Sequence, residues 1–337
     1  MEKRNLISAK YIVPVLAIIV MLILPLFIAS NYIITIFITC MAFAVFGMAW
    51  NIIGGYGAQV SWASSAFVAI GAYTNFILAV EFGISPFLSL PLGMGLSFIM
   101  ATVIGYGSFR LRGAYFAIAT IAFAEAFRGA LQFFSGLTRG SAGMFITYRG
   151  DNFLALSFSN DRPFYYMFLA LVVLSLLFSN WFIKSKTGYY LRCINGDEDA
   201  AESLGVETFR VKLRAFQVSS MMMSAAGAFY ASFLTFISPM STASFNLSIM
   251  IGIVAIVGGT ATLWGPVLGA FIIVPLIEVA GILLGASGAS NVLYGLLLVV
   301  IVMFRPTGVI TLLYSAHRFI TKKRGAKTPM TTEKGES

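Results

Sequence analysis

Long apolar segments alternate with short polar connections along the chain. About 20 helical residues cross roughly 30 Å of hydrocarbon, and a backbone surrounded by lipid must satisfy its own hydrogen bonds. The pattern therefore predicts an all-α fold, a polytopic membrane protein of about ten transmembrane helices. The predicted spans are residues 11–29, 33–53, 58–80, 87–109, 113–134, 163–183, 213–237, 247–258, 266–285 and 290–312. The eighth span is short, which indicates a broken or tilted element.

The composition supports this prediction and excludes a soluble protein. Of the 337 residues, 59% are hydrophobic and 10% are charged, whereas soluble domains contain roughly 45–50% apolar and about 25% charged residues. The net charge of +9 would favour nucleic-acid binding in a soluble protein. Here the basic residues are clustered between apolar segments, so a bias of positive charge toward the cytoplasm explains them. No nucleic-acid partner is expected.

The distribution of Lys and Arg predicts the orientation. If the N-terminus is cytoplasmic and the spans alternate, all but four of the 22 Lys and Arg residues lie on the cytoplasmic side. The exceptions are Arg128, Arg139, Arg149 and Arg162. Because Lys and Arg are enriched in cytoplasmic loops, both termini are predicted to be cytoplasmic and the number of spans to be even.

One membrane domain, residues 1–317, is predicted to precede a basic and polar cytoplasmic tail, residues 318–337. This domain contains a long cytoplasmic loop at 184–212 and a long outer loop at 135–162. The first span, 11–29, follows basic residues as a signal peptide would. It is long and no small-residue cleavage site follows it, so we interpret it as a retained span.

Residues that would support catalysis or bind a metal are scarce. A phosphate-binding loop of the form G-x-x-x-x-G-K-[ST] is absent, so any ATPase would be a separate subunit. Cys40 lies in an apolar segment, Cys193 lies in a polar loop, and His317 is the only histidine. No catalytic residue, cofactor or metal site is predicted. A membrane-embedded enzyme, which would need a cluster of such groups, is therefore not favoured.

Carboxylates inside spans would indicate an ion-coupled carrier, because charged groups are costly in lipid and mark functional sites. Two carboxylates qualify, Glu125 and Glu278. Arg128 follows Glu125 at i+3, so a local ion pair is the plainer interpretation. Glu278 has no such neighbour, and its partner is expected on another helix or in a cavity.

The polar loop between the sixth and seventh spans predicts a short helix. Asn195 is predicted as its N-cap, with Glu198 reaching back to the cap, and Gly205 is predicted to close it in a left-handed conformation. Such a helix would dock into a partner's groove or would be a solvated connector. The residues assigned to it are Asn195, Asp197, Glu198, Ala200, Ala201, Glu202, Leu204 and Gly205.

Glycine clusters and polar residues within apolar segments predict a solute path. Broken helices and unwound backbone often line such paths, although glycines also allow close helix packing and serines bond to their own helix backbone. The candidate path residues are Gly57, Ser61, Ser64, Ser65, Tyr73, Tyr115, Thr120, Gly258, Gly259 and Glu278.

Several of these stretches together resemble the permease subunits of branched-chain amino acid ABC importers. The resemblance covers most of the chain in the family's order and is specific in combination. It is carried by Gly54–Tyr73 (GGYGAQVSWASSAFVAIGAY), Leu111–Glu125 (LRGAYFAIATIAFAE), Leu137–Met144 (LTRGSAGM), Leu191–Val206 running on to Ala231, Val257–Ala270 (VGGTATLWGPVLGA) and Tyr294–Gly308 (YGLLLVVIVMFRPTG).

The resemblance implies a ten-helix type II importer half in the plasma (inner) membrane of a prokaryote. Its implied partners are a second permease subunit, two ABC ATPase subunits and an extracytoplasmic binding protein, with Asp197 to Gly205 as the ATPase-coupling helix. The family often has S-x-G-H-A-x-F in the third span, where this chain has Ala63 and Ser64 in place of the Gly-His pair. Leucine, isoleucine and valine are the implied substrates, with other amino acids, amides or urea as alternatives. An ion-coupled carrier, whose transport would survive ATP depletion, is the alternative from another class.

Overall fold

The computed structural model describes residues 18–28, 30–111, 113–146, 150–154 and 156–284, together with 295, 308 and 309. Most of the predicted tenth span, the C-terminal tail and the beginning of the first span lie outside the described residues.

Helices account for nearly all of the regular structure in the described ranges. The longer ones are α1 (Ile18–Phe27), α2 (Asn31–Gly54), α3 (Ser64–Glu81), α4 (Pro86–Ser108), α5 (Ala114–Phe133), α7 (Arg162–Ile183), α8 (Lys186–Gly196), α10 (Thr208–Leu234), α12 (Phe245–Gly258) and α13 (Gly265–Leu284). The short ones are α6 (Ser135–Thr138), α9 (Glu198–Ser203), α11 (Pro239–Thr242) and a 3₁₀ turn at Gly140–Ala142. The strands β1 (Met144–Phe145) and β2 (Phe236–Ile237) pair antiparallel.

Seven helical segments in the described residues are long and apolar enough to cross a membrane. They are Asn31–Gly54, Ser64–Glu81, Pro86–Ser108, Ala114–Phe133, Arg162–Ile183, Pro239–Gly258 and Gly265–Ile282. The prediction of an all-α polytopic membrane protein is confirmed, and the total of about ten spans stays a prediction. α10 has 27 residues, enough for about 40 Å, but its basic first turns and its serines lower its hydropathy.

α10 is a central element of the helix packing. It lies against α2, α3 and α4, and α2 in turn packs against α7, α12 and α13. Serines of α10 bond across these contacts: Ser219 donates to the Ala49 carbonyl oxygen at 2.6 Å, and Ser220 to that of Ser97 at 3.2 Å. Because small polar side chains permit close approach and supply interhelical hydrogen bonds, the polar character of α10 fits a central helix.

The structure differs from the predicted pattern in three places. Residues 58–63, predicted as the start of the third span, are not helical, and α3 begins at Ser64. The predicted eighth span, 247–258, lies within the continuous helix α12, and the short helix α11 precedes it, with residues 243–244 between the two helices. The short strands β1 and β2 were not predicted. They tie the predicted outer loop to the end of α10, and the Phe145 and Phe236 rings lie 4.3 Å apart.

Candidate functional site

Two glycine-containing connections lie against each other. The first follows α2 and includes residues 54–57, and the second, residues 258–265, joins α12 to α13. We call them the first and second glycine turns. A Cβ atom built on Gly258 would lie 1.8 Å from the Gly265 carbonyl oxygen. The two ends of the second turn can therefore approach this closely only if residue 258 is glycine.

Asn51 joins the two turns. Its Nδ2 donates to the Thr262 carbonyl oxygen at 2.8 Å, and its Oδ1 accepts from the Ala261 amide at 2.9 Å. Asn51 is 3% exposed, so water has little access to its side chain, and loss of these hydrogen bonds would lower the stability of the fold. The sequence prediction did not include this residue, although a carboxamide near the end of an apolar span, next to a glycine cluster, was a signal that could have identified it.

The polar loop after α7 forms two helices rather than one. α8 extends to Gly196, and Asp197 is the N-cap of α9, with its Oδ1 accepting from the Ala200 amide at 3.0 Å. The prediction that Asn195 caps the helix and that Glu198 reaches back to it was wrong. Gly205 has φ +83°, so its predicted left-handed conformation is confirmed. We call residues 186–205 the α8–α9 element.

The α8–α9 element is fixed to the first glycine turn. Asn195 Nδ2 donates to the Gly55 carbonyl oxygen at 3.0 Å. The Arg192 guanidinium lies 5.6 Å from the centroid of the Tyr56 ring, within cation–π distance. Since Asn51 joins the first turn to the second, direct contacts lead from the α8–α9 element to the start of α13.

A second anchor holds α9 against α10. Lys212 Nζ lies 2.5 Å from Glu198 Oε1, and the two side chains are 3% and 23% exposed. Glu202 accepts a hydrogen bond from Thr208 Oγ1. Because a charge-assisted bond with a buried member is strong only while both partners are present, Glu198 and Lys212 position α9 at the start of α10.

We expect Lys212→Met to lower the thermal stability of the purified protein, because Glu198 would keep a half-buried charge without its partner. The expected loss is about 2 kcal/mol, measured as a lower unfolding midpoint in detergent. The double variant Glu198→Gln/Lys212→Met should recover part of the loss. The matched control is Glu207→Gln, which removes the exposed Arg210–Glu207 pair and should change little. Equal midpoints for Lys212→Met and the control would contradict the anchor.

The outer surface of the α8–α9 element exposes apolar side chains. Leu204 is 85% exposed, and Tyr189 and Tyr190 are exposed as well. Of the remaining predicted coupling residues, Ala201 is buried, Glu198 is half-buried, and the rest are exposed. Exposed leucine and tyrosine side chains outside the spans are typical of a surface that another protein covers.

The candidate path residues do not lie together. Ser61, Ser64, Ser65, Tyr73 and Thr120 are buried within the bundle. Several of these groups hold residues 58–63 and the start of α3 in place. The Trp50 indole donates to the Ser61 carbonyl oxygen at 2.8 Å, the Trp62 amide to Thr120 Oγ1 at 3.0 Å, and Ser248 Oγ to Ser65 Oγ at 2.8 Å.

The other candidate path residues occupy three separate places. Gly57, Gly258 and Gly259 belong to the glycine turns. Tyr115 is exposed at the beginning of α5. Glu278 is exposed on α13, near enough to Cys40 and Tyr230 to interact electrostatically with both. The gap beside Ser61 and Ser64 is too small to hold a water molecule and is bordered mainly by aromatic and aliphatic side chains. Within the described residues, no group of three or more His, Cys, Asp or Glu could hold a metal ion.

Comparison with known proteins places this arrangement in context. The family described as "Branched-chain amino acid transport system / permease component" matches residues 32–302. The chain is 28% identical over 292 residues to the high-affinity branched-chain amino acid transport system permease protein LivM of Salmonella typhimurium, which covers 80% of this chain and 68% of the relative. The Escherichia coli LivM protein is equally similar over 294 residues. The autoinducer 2 import system permease protein LsrC of Yersinia enterocolitica is 24% identical over 246 residues, 70% of this chain and 66% of the relative. No solved structure matches the chain.

Proposed function

The chain belongs to the family of branched-chain amino acid transport system permease components, and on this premise we propose that it is the membrane subunit of an ATP-driven importer of leucine, isoleucine and valine. Permeases of this ABC type work with ATPase subunits and a substrate-binding protein. In this proposal the chain pairs with a second permease subunit and both termini are cytoplasmic. ATP hydrolysis occurs in the partner subunits, and an extracytoplasmic protein delivers the amino acid.

The α8–α9 element carries the proposal of ATP-driven transport. Leu204, Tyr189 and Tyr190 of this element are exposed. The Glu198–Lys212 ion pair fixes the element to α10, and the hydrogen bond from Asn195 fixes it to Gly55. A surface that docks an ATPase must be rigid, because a force applied to a mobile loop would move the loop without moving the spans. In the predicted topology this element is cytoplasmic, on the side where ATP is available.

The packing of the chain supports a substrate path outside its own helix bundle. Ser61 and Ser65 hydrogen-bond within the bundle, whereas Ser64 Oγ has no hydrogen-bond partner among the described residues. The gap beside these serines is too small to hold a water molecule. α4 and α5 bury only a minor part of their surface in this chain. A path bordered by the surface of this chain and by a second permease therefore fits better than a channel through the chain itself.

The test is uptake of radiolabelled amino acids by proteoliposomes that contain the chain with its partner subunits and binding protein. Uptake of leucine, isoleucine and valine is expected, it should require ATP, and it should stop when the ATPase subunits are omitted. Unlabelled amides and urea serve as competitors for the alternative substrates. Uptake that is driven by an ion gradient and continues after ATP depletion would reject the proposal.

A further inference from the structure

An ion pair on α5 lies apart from the glycine turns and the α8–α9 element. Arg128 Nη2 contacts Glu125 Oε2 one helical turn away, so the predicted local ion pair is confirmed. Among the ion pairs formed by described residues, this pair lies on α5, a helix long and apolar enough to cross a membrane. The two side chains are 30% and 37% exposed, so the pair faces outward from this chain. Charged groups at such a position are energetically costly in lipid, and the ones that occur usually have a function.

The guanidinium of Arg128 has unused bonding capacity. It carries five N–H groups. Nη2 bonds to Glu125, and Nη1 lies 3.3 Å from Met240 Sδ, which is a weak acceptor. Nε is shielded from solvent and has no hydrogen-bond partner among the described residues. Nη1 and Nη2 each keep one further N–H group. Arginine binds carboxylates strongly and often with two parallel bonds, so these two N–H groups fit an anionic ligand.

The surroundings of the pair leave room for a small molecule. Gly129 is exposed, and a Cβ atom built on it would meet nothing within 4 Å. Gln132 Nε2 lies 3.6 Å from the same Met240 sulfur, so α11 borders the pair on one side. A methionine side chain is flexible and polarisable, and it adapts to branched aliphatic groups.

These observations extend the proposed function, on which the following inference rests: we propose that Glu125, Arg128 and Met240 form a binding subsite for the free zwitterionic amino acid. The α-carboxylate binds the free N–H groups of Arg128 Nη1 and Nη2, the α-ammonium binds Glu125, and the aliphatic side chain contacts Met240. A pair without net charge suits a ligand without net charge, because no uncompensated charge is left within the membrane.

The position of the pair fits a substrate that arrives from outside. In the predicted topology α5 runs from the cytoplasmic to the outer side and ends at Phe133. Arg128 lies five residues before that end, about 8 Å along the helix axis. The subsite would therefore be reached shortly after the binding protein releases the amino acid.

Equilibrium binding of radiolabelled leucine to the purified permease–ATPase complex, without the binding protein, tests the subsite directly. We expect Arg128→Gln and Glu125→Gln each to weaken binding per assembled complex by roughly tenfold to a hundredfold. Glu81→Gln, at the exposed end of α3, is the matched control and should bind as the wild type does. Leucinamide, which lacks the carboxylate, and 4-methylpentanoate, which lacks the ammonium group, should not compete with leucine.

A second variant leaves the charges in place. Gly129→Leu fills the open space beside the pair and should abolish leucine binding, whereas Gly281→Leu, at an exposed α13 glycine that also has open space around it, should not. If the Arg128→Gln variant does not assemble, leucine binding by the Glu125→Gln and Gly129→Leu variants tests the subsite. Wild-type binding by these variants, or no leucine binding by the wild-type complex, would overturn the subsite.

The same complex distinguishes this inference from the proposed function. With the binding protein added back, wild-type uptake of leucine together with unchanged binding in the variants rejects the subsite alone. Absence of any branched-chain amino acid uptake by the wild type rejects the proposed function.

Discussion

Leu204→Gln is expected to reduce ATP-driven uptake by about tenfold or more while the chain inserts and folds normally. Leu204 is 85% exposed and makes little contact within the chain, so its replacement removes apolar surface without disturbing the bundle. Apolar side chains at the centre of an interface contribute most of its binding energy, and loss of one such contact often costs a tenfold change in affinity. We expect the ATPase subunits to co-purify poorly with this variant.

The matched control for this prediction is Leu154→Gln. Leu154 is also an exposed leucine outside the spans, but it lies in the predicted outer loop, where no ATPase can bind. Its replacement should leave uptake and co-purification of the ATPase unchanged. Normal uptake by Leu204→Gln would show that the α8–α9 element does not dock the ATPase, and a similar loss in both variants would point to a general effect of exposed leucines on assembly.

The apolar pattern predicted spans well where it was uninterrupted. The span predicted at 33–53 is α2, Asn31–Gly54, and the one predicted at 163–183 is α7, Arg162–Ile183. Both are predominantly apolar and close to the length that crosses the hydrocarbon, and polar residues or glycines flank them, so local composition is enough to predict their ends. The i,i+3 spacing of Glu125 and Arg128 likewise predicted their ion pair.

Distant contacts decided the features that the sequence could not predict. Residues 58–63 stay non-helical because Trp50 and Thr120 bond to their backbone. Asn195 and Asp197 are both good helix caps, and the choice between them depends on a hydrogen bond from Asn195 to Gly55, 140 positions away. Residue type alone predicts the candidate path residues, whereas their burial or exposure depends on helix packing that a single sequence does not show.

Asn51→Ala is expected to separate ATP hydrolysis from transport. The substitution removes both side-chain bonds from Asn51 to the second glycine turn, which are partly buried, at a cost of about 1 kcal/mol each. The α8–α9 element itself is untouched, so the ATPase should still bind and hydrolyse ATP. Because the contacts from Asn195 through Gly55 to α13 would be broken at Asn51, we expect the number of amino acids imported per ATP hydrolysed to fall about tenfold.

This outcome differs from that of Leu204→Gln, in which the ATPase is lost, and the difference makes the two predictions independent. Asn246→Ala is the control, since Asn246 is exposed on α12 and its replacement should leave the transport ratio unchanged. A wild-type ratio in Asn51→Ala would mean that movement of the α8–α9 element reaches the spans without passing through the glycine turns. The contacts of α8 and of the Glu198–Lys212 pair with α10 would then be one such route, because α10 packs against α2, α3 and α4.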